Sequence, residues 1–183
     1  GINVSYNTIN NNNGTGVNHA TTFRGIYCDA GTGASMNVNN NTITLKTAVT
    51  TSQVSAIELS AGSTGSGNTI NINNNKITGC TNDLATTSIW YGIYNTGAPA
   101  TLNINNNTFS SNTTKATTVS TSLIYNTGAV TSALSISNNN LSQGFNHTAT
   151  QGGTFYGVRN TGATITANAA INNNVWSNFS FTT

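Results

Sequence analysis

The sequence predicts an all-β fold in which short strands wind into a solenoid of stacked coils. One eight-residue segment recurs six times along the 183 residues, and its copies start 32 to 35 residues apart. Apolar and polar residues alternate within each copy, which is the pattern of a half-buried strand. A repeat of roughly this length is typical of stacked architectures. We therefore predict a single β-solenoid domain over residues 1–183, with about five and a half coils and three strands per coil, which either stands alone or is a segment of a longer repeat protein.

The recurring segment contains the first two predicted strands of each coil. Its copies are residues 2–9, 36–43, 70–77, 102–109, 134–141 and 169–176. One coil cannot bury its apolar row alone, whereas stacked coils align these rows into continuous core stripes. The predicted third strand follows a Thr/Ser-rich loop of variable length and precedes a glycine turn. These turns contain Gly31, Gly62, Gly97, Gly128 and Gly162.

An unbroken asparagine column occupies the sixth position of the recurring segment. Its members are Asn7, Asn41, Asn75, Asn107, Asn139 and Asn174. Asn tolerates the left-handed backbone angles that a corner between strands requires. Stacked identical Asn side chains also form hydrogen bonds along the stacking axis. We predict a structural Asn ladder at this corner.

The alternation of NNNTI-like and GIYN-like segments covers nearly the whole chain. In this respect the sequence resembles the parallel β-helix repeats of the right-handed, pectate-lyase-like superfamily. The resemblance implies a right-handed parallel β-helix of the type found in secreted bacterial surface and filament proteins. That superfamily includes lyases, hydrolases, epimerases, phage tailspikes, adhesins and structural proteins, so the resemblance leaves the function open.

The scarcity of charge argues against catalysis. Charged residues make up 4% of the chain, and its only acids are Asp29, Glu58 and Asp83. Paired-acid hydrolysis and calcium-dependent lyase chemistry need clustered carboxylates, which are missing. We expect Asp29 and Glu58 to be solvated surface groups on neighbouring coils. The sequence predicts no enzyme activity, no cofactor and no metal site.

Other partner classes are also disfavoured by composition. Five Lys and Arg residues scattered along the chain argue against a nucleic-acid surface. No apolar run approaches the roughly 18 residues of a membrane span. His19 and His147 are predicted to be exposed loop residues four coils apart, too far for one metal site. Cys28 and Cys80 are two coils apart and on different sides, which excludes a disulfide.

One column of the third strand is predicted to point outward. It reads Tyr27, Glu58, Tyr94, Tyr125 and Arg159, and its possible surface-contact residues are Tyr27, Tyr94, Tyr125 and Arg159. Exposed tyrosines in a row stack on sugar rings or seal a lateral protein contact. Alternatively, Tyr is simply a good strand former that makes cross-strand pairs. The next column, Cys28, Leu59, Asn95, Asn126 and Asn160, is expected to face inward.

We expect a non-catalytic structural solenoid of an extracellular filament, sheath or adhesin. The protein is predicted to be secreted and to associate head to tail with copies of itself. The alternative is a carbohydrate-binding or carbohydrate-processing β-helix with surface glycans as partners. Glycan binding should then fall on substitution of Tyr94 or Tyr125 by Ala, whereas a structural role should survive these changes.

Ice binding is a third expectation because Thr-rich columns on a solenoid resemble the flat arrays of ice-binding proteins. The candidate columns lie on the second strand, and Lys76 and Val175 interrupt one of them. The regular lattice that such binding needs is therefore incomplete.

Overall fold

The chain forms an all-β structure in which successive coils stack on one another. The computed structural model describes residues 1–11, 19, 21–29, 31, 33–63, 67–118, 120–149, 152–162 and 168–181. The strands in these residues pair in parallel, and these residues contain no helix. The stack makes about five turns, which confirms the predicted β-solenoid and is consistent with a right-handed parallel β-helix.

Sheets 1 and 2 are built from the recurring segment. Sheet 1 consists of β1 (Ile2–Asn3), β4 (Met36–Asn37), β8 (Thr69–Asn73), β12 (Thr101–Asn105), β16 (Ala133–Ser137) and β19 (Asn168–Asn172). Sheet 2 consists of β2 (Thr8–Asn10), β5 (Thr42–Thr44), β9 (Lys76–Thr78) and β13 (Thr108–Ser110), with single bridges at Asn140 and Val175. Their register follows the repeat, so equivalent positions of the segment stack directly on one another.

Sheets 3 and 4 follow sheets 1 and 2 along the chain. Sheet 3 consists of β6 (Lys46–Thr47), β10 (Thr81–Asn82), β14 (Asn112–Thr114), β17 (Phe145–His147) and β20 (Ser180–Phe181). Sheet 4 consists of β3 (Phe23–Cys28), β7 (Val54–Leu59), β11 (Trp90–Asn95), β15 (Thr121–Asn126) and β18 (Phe155–Asn160). Sheet 4 is the predicted third strand, whereas sheet 3 lies in the predicted variable loop.

A complete coil therefore has four strands where the sequence predicts three. The additional strands are two or three residues long. A segment this short has no recognisable period of its own. It becomes a strand because the neighbouring coil brings a matching segment within hydrogen-bonding distance, as at Thr81, which pairs with Lys46 and Thr113.

The core is a column of apolar side chains enclosed by the four sheets. The predicted sheet 1 stripe stacks in register as Ile2, Met36, Ile70, Leu102, Leu134 and Ala169. Its interior members Ile70 and Leu102 are completely buried, and so is Phe109 of the sheet 2 stripe. Burying a side chain of this size stabilises the fold by about 1.5 to 3 kcal/mol. Stacking thus supplies the stabilisation that an isolated coil lacks.

Three of the glycines that follow sheet 4 are required by the close approach of neighbouring coils. Gly97, Gly128 and Gly162 stack on one another, and a Cβ atom on Gly128 would overlap the carbonyl group of Gly97. None of these three residues has a positive φ, whereas Gly62 has a φ of 103°. These three glycines therefore leave space for the adjacent backbone, and Gly62 provides a left-handed turn.

Candidate functional site

The predicted Asn column forms a continuous hydrogen-bonded ladder at the corner between sheets 1 and 2. At each step the backbone N–H and Nδ2 of one Asn both donate to Oδ1 of the Asn in the next coil. The steps join Asn7, Asn41, Asn75, Asn107, Asn139 and Asn174, with donor–acceptor distances of 2.8 to 3.0 Å. Nδ2 also donates to a strand carbonyl, as from Asn75 to Val38 at 2.8 Å. The ladder satisfies polar groups in a buried corner.

The left-handed residue at this corner is the one that precedes the ladder Asn. Its members have φ values of 53° to 62° and are Tyr6, Asn40, Asn74, Asn106, Asn138 and Asn173. The expectation that the ladder Asn itself takes left-handed angles is therefore wrong by one position. The chain bends at the preceding residue, because the N–H of the ladder Asn must point along the axis to reach the next coil.

A second Asn ladder lies at the end of sheet 4. Asn95 Nδ2 donates to Asn126 Oδ1 at 2.7 Å, and Asn126 Nδ2 donates to Asn160 Oδ1 at 2.8 Å. The same Nδ2 atoms donate to the carbonyls of Gly97 and Gly128. Asn95 and Asn126 are buried, as expected for this column. The recurring Asn-Thr-Gly triplet was the sequence signal for this ladder.

Sheet 4 bends at a point where two consecutive residues face the core. Ala56 and Ile57 are both completely buried, and a Cβ atom on Gly92 would collide with the ring of Phe109. The residues on either side of such a pair are three positions apart, yet both lie on the outer face. Tyr91 in β11 has its ring centroid 4.4 Å from that of Tyr94 for this reason. Strict strand alternation would have placed Tyr91 inside.

The outer face of sheet 4 concentrates the tyrosines and arginines of the chain. It holds five of the six tyrosines and both arginines. We call it the tyrosine surface, which comprises Arg24, Tyr27, Glu58, Tyr91, Tyr94, Tyr125, Tyr156 and Arg159. The predicted outward column is in register throughout. The bend adds a second column, which contains Tyr91 and Tyr156.

Rings and guanidinium groups stack along the axis on this surface. The Tyr94 and Tyr125 rings are 5.4 Å apart at 15°, and the Thr161 hydroxyl donates to the Tyr125 hydroxyl at 3.2 Å. The Arg159 guanidinium lies 4.6 Å from the centroid of Tyr125. Because these ring faces are turned toward one another, the stack presents mainly edges and hydroxyls. Tyr27 has the most exposed ring of the surface, at 47%.

Glu58 is the anionic centre of the tyrosine surface. Its Oε2 accepts hydrogen bonds from Arg24 Nε and from Gln53 Nε2, both at 2.7 Å. The residue is only 6% exposed, so the expectation that it is solvated is wrong, although Asp29 is exposed as expected. The hydrogen bond to Glu58 raises the pKa of Arg24. Arg24 and Glu58 therefore form a partly buried ion pair, and the Glu58 carboxylate also accepts a hydrogen bond from the neutral amide of Gln53.

The Thr-rich columns of sheet 2 bond along the axis. Thr44 Oγ1 donates to the carbonyl of Thr78 at 2.9 Å, and the Thr78 and Ser110 hydroxyls are 2.8 Å apart. Lys76 is exposed between Thr42 and Thr108 in the neighbouring column. These hydroxyls therefore form hydrogen bonds within the protein, and the charged side chain of Lys76 interrupts the row of threonines.

His147 lies in the core of the fifth coil. It belongs to β17, is only 2% exposed, and its ring is 5.3 Å from Phe145 and 6.3 Å from Phe155. The expectation of an exposed loop histidine is wrong because the variable loop contains sheet 3, whose alternate residues point inward. Burial lowers the pKa of His147, and a hydrogen bond with the Ala116 backbone opposes this effect.

We expect the stability of the fold to decrease as the pH falls below about 6.5, the ordinary pKa of histidine. The lowered pKa means that the unfolded chain binds a proton more readily than the folded one, so acid favours unfolding. Thermal unfolding followed by circular dichroism between pH 7.5 and 5 will measure this. His147→Phe should remove the dependence and His19→Gln should leave it. Equal melting curves for the wild type across this range would contradict the prediction.

The two cysteines are separate free thiols. Cys28 is half-buried and Cys80 is buried. Burial raises the pKa of Cys80 to about 12, and its Sγ accepts a hydrogen bond from the Leu45 N–H at 3.4 Å. Within the described ranges, no three His, Cys, Asp or Glu side chains are grouped closely enough to hold a metal ion. The same ranges include no helix with the length and hydropathy to cross a membrane.

Apolar side chains are exposed mainly in the first and last coils. Among the described residues the large exposed ones are Ile2, Tyr6, Tyr27, Leu84, Ile171, Val175 and Trp176, and only Leu84 lies in the middle of the stack. In the first coil, an open depression of about 420 Å³ is lined by Val4, Ile9, Ile26 and Cys28, among others. Each end therefore displays the apolar cross-section of the core.

Comparison with known proteins adds no functional assignment. The chain matches no protein-family model, no curated protein and no solved structure. The geometry described above is therefore the basis for the proposals that follow.

Proposed function

We propose that this protein is a non-catalytic structural rod of an extracellular filament, sheath or adhesin, and that its coils stack head to tail on those of a second copy. The observation that carries the proposal is the exposure of core residues in the end coils. Ile171 and Trp176 are 49% and 51% exposed at one end, and Ile2 is 38% exposed at the other. Their equivalents in the middle coils are buried.

The two ends are complementary because every coil repeats the same cross-section. Stacking a second copy in register would place its Val4 on Ile171 and its Ile9 on Trp176, which continues both core stripes. Within the described residues, the Asn ladder at the corner between sheets 1 and 2 can be extended at both ends. Its last member, Asn174, offers the backbone N–H and Nδ2 as donors, and its first member, Asn7, offers Oδ1 as an acceptor. Such a contact joins two different surfaces and does not close, so it propagates into a filament.

The low charge of the chain is compatible with this role. Of its three acids, Glu58 is paired with Arg24, Asp29 accepts a hydrogen bond from Ser60, and Asp83 is exposed in a turn. Few charges also mean little repulsion between copies. The proposed extracellular location rests on the composition and on the resemblance to secreted β-helices.

Two variants that each block one end provide the decisive test. Ile2→Asp places a charge in the first coil and Ile171→Asp places one in the last, where each side chain is already partly exposed. We expect the wild type to form an open series of oligomers and each variant alone to remain monomeric. A mixture of the two should stop at the dimer, because one variant contributes a free last coil and the other a free first coil. Sedimentation velocity will separate these species.

Asn71→Asp serves as the matched control for these variants. Asn71 lies on the outer face of the middle strand β8, so the same type of charge should leave assembly unchanged. A wild type that remains monomeric at all concentrations would contradict the proposal. Oligomers beyond the dimer in the mixture, or loss of assembly in Asn71→Asp, would also contradict it.

Electron microscopy of the assembly gives an independent readout. We expect filaments in which the coils of successive copies continue one stack, with about 4.8 Å per coil along the filament axis.

A further inference from the structure

Three tyrosine rings of the tyrosine surface form a closely spaced cluster. The centroid of Tyr94 lies 4.4 Å from that of Tyr91 and 5.4 Å from that of Tyr125, and the Tyr91 and Tyr125 centroids are 5.6 Å apart. The cluster joins two coils, since Tyr91 and Tyr94 belong to β11 and Tyr125 belongs to β15. We call these residues the tyrosine cluster.

The fold holds these rings in place. The bend at Gly92 puts Tyr91 and Tyr94 on one face, and the parallel register puts Tyr125 directly beside Tyr94. Tyr94 is hydrogen-bonded by the side chain of Thr127, and Tyr125 by that of Thr161. Tyr91 is 8% exposed, whereas Tyr94 and Tyr125 are half-buried and accessible from solvent. The rings are thus preorganised next to one another and still open to a small oxidant.

We propose that the tyrosine cluster is a site of oxidative cross-linking at which two of its rings are joined as dityrosine. The co-reactant is a peroxidase-type one-electron oxidant that uses hydrogen peroxide. Each of two phenols loses one electron and its hydroxyl proton and becomes a neutral phenoxyl radical. The radicals couple through a new bond between their Cε carbons, and the two displaced ring hydrogens return to the phenol oxygens. Overall, two tyrosines and one hydrogen peroxide give dityrosine and two water molecules.

Proximity selects the cluster over the other tyrosines. Radical coupling requires the two rings to meet before either radical reacts elsewhere, so preorganised neighbours have a large advantage. Glu58 separates Tyr27 from Tyr94 in the same column, and Tyr6 is 82% exposed in the first coil. Arg159 lies over both Tyr125 and Tyr156. Tyr94 belongs to both of the closest ring pairs on this surface, Tyr91–Tyr94 and Tyr94–Tyr125.

A bond from Tyr125 to either ring of β11 would connect the third and fourth coils covalently. It would restrict separation of these coils in the unfolded chain, much as a disulfide does. A bond between Tyr91 and Tyr94 would instead lock the bend of β11. The proposal is independent of head-to-tail assembly, because every ring involved belongs to one molecule.

The test is oxidation of the full chain by a haem peroxidase and hydrogen peroxide at high dilution, which suppresses coupling between molecules. We expect dityrosine fluorescence, a mass loss of two hydrogen atoms in the monomer, and a cross-link that peptide mapping places within the tyrosine cluster. Replacing both Tyr94 and Tyr125 by Phe leaves a single ring of the cluster and should remove most of the fluorescence. Tyr27→Phe, in the same column but outside the cluster, should retain it.

Two further measurements keep the test decisive. Circular dichroism will establish that the double variant is folded, and mapping of the wild type does not depend on any variant. Oxidation of the urea-unfolded wild type should lose the preference for the cluster. Equal fluorescence in the folded double variant, a mapped bond to Tyr6 or Tyr27, or cross-links found only in dimers would overturn the proposal.

Discussion

Replacing Asn75 by Leu is expected to lower the free energy of unfolding by on the order of 4 kcal/mol. Asn75 is 1% exposed, and its Oδ1 accepts hydrogen bonds from both the backbone N–H and the Nδ2 of Asn41. Its Nδ2 also donates to the carbonyl of Val38. Leucine would leave these three buried groups without this partner, and each such loss costs about 1 to 3 kcal/mol.

Urea unfolding monitored by circular dichroism will measure this loss. Asn71→Leu is the matched control, since Asn71 belongs to β8 of the same coil and donates to Asn37 at 2.8 Å in an outer, half-exposed row. Water can replace the lost partner there, so we expect a change below about 1 kcal/mol. Equal destabilisation by the two substitutions would show that the buried ladder of Asn75 stabilises the fold no more than the outer row of Asn71 does.

Replacing Gly128 by Ala is expected to lower the free energy of unfolding by about 3 kcal/mol or more. The added Cβ would overlap the carbonyl carbon and oxygen of Gly97 and come within 3.1 Å of Asn95 Nδ2. These atoms belong to the neighbouring coil and to the second Asn ladder. Moving the Gly97 carbonyl or Asn95 away would disturb the contact between the coils, because Asn95 Nδ2 donates both to the Gly97 carbonyl and to Asn126 Oδ1 in the coil of Gly128.

Gly31→Ala is the matched control at the corresponding turn of the first coil. A Cβ atom added to Gly31 would have no other atom within 4 Å, and Gly31 has no positive φ. The substitution should therefore change the stability by less than about 1 kcal/mol. Thermal and urea unfolding of both variants will measure the difference. If Gly128→Ala is as stable as the wild type, close packing of the backbones is not the reason for glycine at this position.

The burial of polar side chains was the part of the site that the sequence did not reveal. No other coil has a Glu or a His at the positions equivalent to Glu58 and His147, and the residue types alone do not indicate burial. The structure buries Glu58 beneath Arg24 and Gln53, and places His147 beside the rings of Phe145 and Phe155. Each environment depends on a residue of another strand, Arg24 of β3 or Phe155 of β18, so the local sequence pattern does not predict the burial.

One of the two columns of the tyrosine surface could be predicted from the sequence. The column with Tyr27, Tyr94 and Tyr125 follows from alternation and from the repeat, and its register is confirmed. Tyr91 was missed because the bend places two consecutive residues inside, which breaks the period of two. The Gly before the central Ile was the available signal, since a missing side chain at that position indicates a close contact with the core.

The sequence predicts the stacked β-solenoid, the coil length, the core stripes and the buried Asn column, because all of these repeat in phase along the chain. Only the three-dimensional structure shows the fourth strand of a complete coil, the position of the left-handed corner residue and the burial of Glu58 and His147. These features arise because stacking pairs each short segment with its equivalent in the next coil. A strand of two residues or a buried ion pair exists only after those coils have met.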